Sequence, residues 1–240
     1  MALLINNPKI LILAFIAGII PSLLWLWFWL KEEEYPEPKG LLTIVFIMGM
    51  VAVVVVLPIQ KFIQDHVSSP QGQLVLWASA EEILKYLAVL IILYRTNNAR
   101  EPIDWPIFMI TAALGFAALE NTLFLVKPFS VSGATVALLT GQLRYMGSTL
   151  LHTISSGILG IAIGISWHTK GIKKIWHIFV GFMVAIALHS TFNFFIIRND
   201  GNDFLKVFAF LWVVTIVVML LFEKVRRMSE NIIINPDTIM

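Results

Sequence analysis

Glu81, Glu82 and Lys85 lie close together in LWASAEEILKYLAVLIILYR, a run from Leu76 to Arg95 that is otherwise apolar. Further along, other apolar runs carry Glu120 and Asn121, then Arg144 and His152, then His189 and Asn193. Carboxylates and imidazoles gathered on one cavity suit general acid–base chemistry with water as the nucleophile. One carboxylate takes a proton from water, and a histidine stabilises the oxyanion or returns a proton to a leaving amine. Peptide-bond hydrolysis is the obvious candidate reaction.

Other ways of cutting a peptide bond find little support. The chain has no cysteine, which removes thiolate nucleophiles and disulfides. HExxH is absent, and every aspartate (65, 104, 200, 203, 237) falls in a predicted loop or tail. Ser155–Ser156–Gly157 lacks a GxSG context. Glutamate and histidine remain. Two histidines with two or three glutamates offer donors for a divalent ion that would activate water. No two of these histidines stand four apart on one helix, however, and the expectation is a metal-free site without a cofactor.

These groups must be held by membrane helices. Of 240 residues, 58% are hydrophobic and 13% charged, and the mean hydropathy is +0.85. About 20 apolar residues span a bilayer core. Seven such runs are expected near 10–30, 41–58, 74–94, 105–126, 141–167, 175–197 and 204–222, with an eighth if 129–140 inserts separately. That stretch either extends the fifth span, lies in the interface or re-enters the membrane. The fold class is therefore all-α, a polytopic helix bundle forming a single transmembrane domain over residues 1–240. The first run is too long for a cleavable leader and reads as a retained helix. KEEEYPEPK is read as a solvated loop, and the aromatics of WLWFW as lipid-facing or interfacial. His66, His168 and His177 fall in loops or at span ends and receive no role.

Loop cations set the orientation. With the N-terminus outside, Lys9, Lys61, Lys127, Arg198 and Lys206 lie outside. The inner side then holds Lys31, Lys39, Arg95, Arg100, Lys170, Lys173, Lys174, Lys224, Arg226 and Arg227. The positive-inside rule favours this arrangement, with a cytoplasmic C-terminus. Spans that alternate in this way bring most of the unusual polar groups to one layer, roughly 6–17 Å below the outer surface. Intramembrane ionisable groups cost on the order of 2.5–3.5 kcal/mol each at a helix centre, and read as functional by default. Within the layer, Glu81 and Lys85 are i,i+4 and are expected to pair, while Glu82 points about 100° away. Arg144, Ser148 and His152 share a stripe, as do His189 and Asn193. Ser156, Gly160 and Gly164 form a small-residue ridge for close helix approach.

EEILKY (81–86) matches an EExxK signature and FAALEN (116–121) an FAxxEN signature. Arg144, His152 and HSTFN (189–193) follow in order. Over about residues 74–195 the chain resembles the PrsW family of intramembrane proteases, which is related to the CAAX prenyl endopeptidases and to the multispan scaffold subunit of gamma-secretase. The CAAX branch usually carries EExxxR, so EExxK favours the PrsW branch. The resemblance implies glutamate-dependent proteolysis near the extracytoplasmic side, with membrane-anchored proteins as partners and anti-sigma factors as the best-known substrate type. It implies Glu81 and Glu82 as catalytic carboxylates and His152 and His189 as their histidines. Lys85, Glu120, Asn121, Arg144 and Asn193 would support the site or bind substrate.

Two other classes of function use similar residues. A proton-coupled transporter also buries Glu, His and Arg in one layer, but should show internal repeats or paired broken helices; none is found. An inert scaffold of membrane helices would keep the polar network, with Asn121 as a simple bridge between helices, and would tolerate Glu82→Gln.

Overall fold

The computed structural model describes the backbone of residues 8–31, 37–96, 98–131, 133–198 and 204–234. It describes their side chains except for 127–128, 130–131, 133–146, 197–198, 204 and 231–234. Among these residues the structure is helical throughout, apart from short connections: α1 (Pro8–Lys31), α2 (Lys39–His66), α3 (Pro70–Thr96), α4 (Asp104–Val131), α5 (Gly133–Ile165), α6 (Ile172–Arg198) and α7 (Phe204–Ile234). The helices follow the seven apolar runs and exceed most of them by several residues. Lipid leaves no partner for an open backbone, so a span of this kind must close its hydrogen bonds within itself.

Among the described residues, six helices are long and apolar enough to cross a membrane. The exception is α3, in which Glu81, Glu82 and Lys85 lower the apolar content. Its 27 residues nevertheless reach about 40 Å. The protein is an integral, multi-pass membrane protein. Residues 133–140 form the first turns of α5, so that part of the ambiguous stretch extends the fifth span.

The central helix is α4, packed against α1, α2, α3 and α5. Every residue from Pro106 to Ala118 is buried, as expected of a helix that is apolar all round. Around it, α2 and α6 flank α3, while α7 packs on α5. The outer helices turn Leu24, Val54, Phe62, Ile175 and Leu220 outward. WLWFW divides: Trp27 is exposed, as expected, whereas Trp29 is buried against Phe222 of α7.

Glycines set the tightest seams. A Cβ on Gly49 of α2 would collide with the Ala112 carbonyl oxygen of α4, and one on Gly115 would collide with that of Phe46. The two backbones therefore lie in contact, which fixes α2 on the centre. The expected ridge on α5 behaves alike: a Cβ on Gly160 would come within 2.5 Å of Pro106 Cα. Between α2 and α3 the turn is stapled, with Gln73 Nε2 donating to the Val67 carbonyl at 2.6 Å and the Gly72 N–H to Ser69 Oγ at 3.2 Å. At the described end of KEEEYPEPK, Pro38 and Lys39 are exposed, as expected of a solvated loop, and Glu37 is the exception. Glu37 is half-buried, and burial, reinforced by the Asp104 carboxylate and opposed by Arg100, pushes its carboxyl up to about 7.

Candidate active site

The centre of the site is Glu82, fully buried on α3. Its Oε1 accepts from Lys85 Nζ at 2.8 Å, from His189 Nδ1 at 2.9 Å and from Ser155 Oγ at 3.2 Å. Its Oε2 accepts from Ser156 Oγ at 2.6 Å. Three donors crowd Oε1 and one meets Oε2, so both oxygens of the buried carboxylate are engaged. The expected i,i+4 pairing of Glu81 with Lys85 is replaced by an i,i+3 pair with Glu82. Both spacings bring helical neighbours together, and the direction of Lys85 decides between them. Lys85 reaches from α3 toward α5, on the side that Glu82 shares, and lies 4.6 Å from the centre of the Phe116 ring.

Lys85 also fixes a tautomer. Its Nζ lies 2.8 Å from His152 Nδ1, and an ammonium has only donors, so Nδ1 must accept. The ring proton of neutral His152 is then on Nε2, which donates to Glu120 Oε2 at 2.7 Å. Both nitrogens of His152 are committed. His189 is set the opposite way: Nδ1–H donates to Glu82, and Nε2, the lone-pair nitrogen of the neutral ring, faces into the site.

Opposite that lone pair stands Glu81. Its Oε1 accepts from Gln60 Nε2 of α2 at 2.8 Å. Its Oε2 is buried, has no hydrogen-bond partner among the described residues, and faces His189 Nε2 at 3.5 Å. Two acceptors pointed at each other in a buried place require a proton donor between them or a proton on one of them. The His152 and His189 rings lie edge to face beside this point, 4.9 Å apart.

The structure thus unites Glu81, Glu82, Lys85, Glu120, His152 and His189, contributed by four helices. Asn121 turns to the α4–α5 seam, where its Nδ2 donates to Thr149 Oγ1 at 2.9 Å. Asn193 is half-buried one turn beyond His189. The side chain of Arg144 lies outside the described residues. Three contributors escaped the sequence reading. Ser155 and Ser156 stand three and four residues after His152 and so share its face, but looked like packing residues. Gln60 lies two residues past Pro58, beyond the expected end of its span.

The sequence model of a family described as "PrsW family intramembrane metalloprotease" matches residues 37–222. The chain belongs to the PrsW family. It is accordingly an intramembrane protease. Relatives named Protease PrsW include that of Oceanobacillus iheyensis, 27% identical over 91% of this chain and 97% of its own length. Those of Geobacillus kaustophilus and Bacillus subtilis are each 26% identical, over 77% and 82% of this chain and 80% and 89% of their own lengths. No significant match is found among solved structures.

Removing one partner of a buried ion pair strands the other, at about 3–5 kcal/mol. Lys85→Met should therefore lower thermal stability in detergent by that much and also abolish cleavage. A variant that melts like the unsubstituted protein would show that Lys85 does not carry the buried charge.

Proposed function

We propose that this protein hydrolyses a peptide bond in a membrane-anchored substrate, with Glu81 as general base and His189 as its partner. The observation that carries the reading is the buried Glu81 Oε2, which has no hydrogen-bond partner among the described residues and lies 3.5 Å from His189 Nε2. A water bound there donates one hydrogen to each of these groups or to one of them. Glu81 takes a proton as the water oxygen adds to the scissile carbonyl carbon. That proton then passes to the amide nitrogen, by way of Glu81 or His189, as the C–N bond breaks. The products are a carboxylic acid and an amine, so water is the only co-reactant. Asn193 is the donor proposed for the oxyanion. Glu82 holds the tautomer of His189, and Glu120 with Lys85 holds that of His152.

The family description implies a metal. Glu81, His152 and His189 have suitable donor types, with ligand atoms within 4.8 Å of one another. A catalytic zinc site uses three protein ligands, whereas here only Glu81 Oε2 and His189 Nε2 are uncommitted. His152 would have to release Lys85 or Glu120, and the Lys85 ammonium already stands 2.8 Å from its Nδ1. The donor set does not fit a resident dication, and we propose catalysis by proton transfer alone.

The test is cleavage of single-span substrates in reconstituted liposomes. Glu81→Gln and His189→Ala should each reduce kcat by roughly 10²–10⁴-fold while remaining folded, and exhaustive chelation should leave the rate unchanged. Folded Glu81→Gln that still cuts would remove Glu81 from the chemistry. Activity lost to the chelator and restored by added zinc would establish a metal site instead.

The cation distribution supports an external N-terminus and a site nearer the outer surface. Because the chain lacks cysteine, single cysteines replacing Lys206 and Lys174 report the two faces. An impermeant maleimide added to intact cells should label the first and spare the second; the reverse pattern inverts the topology.

A further inference from the structure

We propose that Gln60 is a positioning residue for Glu81, fixing the carboxylate plane so that the oxygen it does not bind stays aimed at His189. The inference rests on the reading of Glu81 as the base. Gln60 Nε2 donates to Glu81 Oε1 at 2.8 Å across the α2–α3 seam. This engages one oxygen and leaves the other as the acceptor turned toward His189. Without that bond the carboxylate plane would swing freely, because the last side-chain torsion of Glu is broad, and no oxygen would stay aimed at His189.

The frame that carries Gln60 is independently fixed. Trp77 of α3 donates its indole N–H to the Gln60 main-chain carbonyl at 3.1 Å, so α2 and α3 are tied at this level without the Gln60 side chain. The Gly49 and Gly115 contacts anchor α2 to α4 further along. The side-chain amide is therefore not needed to join the helices, and its bond acts on Glu81 alone. A neutral amide also suits the task. Glu81 is surrounded by Lys85 and Glu82 on its own helix, Glu120 on α4, His152 on α5 and His189 on α6. A cation in place of Gln60 would orient the carboxylate equally well but would oppose its uptake of a proton. An amide orients it and adds no charge.

Gln60→Met keeps the length and removes the donor. It should lower kcat by roughly 10–100-fold, the scale for a misplaced reacting group, with KM changed by less than about 3-fold and thermal stability retained. A second readout follows the carboxylate directly. The infrared difference between the parent protein and its Glu81→Gln variant isolates the Glu81 band, and that band should shift when the same difference is taken in a Gln60→Met background. Should Gln60→Met fail to fold, Gln60→Asn keeps an amide but withdraws it by one methylene, and should shift both kcat and the band in the same sense.

An unshifted band, or a rise in KM with kcat intact, would overturn the assignment. The latter would place Gln60 on the substrate instead. The underlying reading fails separately: Glu81→Gln would then retain activity whatever the Gln60 variants do.

Discussion

A single buried carboxylate, Glu82, takes four donors from three helices: Lys85 of its own helix α3, Ser155 and Ser156 of α5, and His189 of α6. A lone ion in a bilayer interior is unfavourable, so the charge persists only because both oxygens are hydrogen-bonded and an ammonium stands beside it. The cost of undoing any one contact is what gives the arrangement its rigidity. Three helices must keep their mutual rotation for the carboxylate to remain satisfied, and the two histidines inherit fixed tautomers from it, one directly and one through Lys85.

This division of labour between adjacent residues follows from helical geometry. Glu81 and Glu82 are about 100° apart around α3. One turns into the α5–α6 seam and has both oxygens hydrogen-bonded; the other binds Gln60 of α2 and keeps an oxygen without a hydrogen-bond partner among the described residues. Identical side chains, one residue apart, thereby have opposite surroundings, which supports the proposed holding role for Glu82 and reacting role for Glu81. The same contrast separates the histidines. His152 has both nitrogens committed, whereas His189 presents a lone pair to Glu81.

Much of this was legible in the sequence, because the helical period and the bilayer thickness are strong constraints. They give seven helices and bring Glu81, Glu82, Glu120, His152 and His189 to one level. The ridge of Gly160 and Gly164 was legible for the same reason. Rotamer choice was not. Glu81 and Glu82 both stand within reach of Lys85 along the helix, and only the position of α5 selects Glu82. Gln60 was hidden because Pro58 looked like the end of a span, although α2 continues to His66. Trp29 shows the limit from the other side: periodicity in an all-apolar helix does not tell the lipid face from the packed face, and only α7 decides it.

In the proposed division of labour, Glu82 holds the site and Glu81 reacts in it. The most direct measurement compares Glu81→Gln with Glu82→Gln for thermal stability and for cleavage in the same preparation. The account predicts that Glu81→Gln melts no lower than the parent, since it removes a charge with an unpartnered oxygen, yet fails to cut. Glu82→Gln should melt markedly lower, because Lys85 loses its counter-charge. A stable Glu82→Gln that is inactive, alongside a destabilised Glu81→Gln that still cuts, would contradict the account and exchange the two roles.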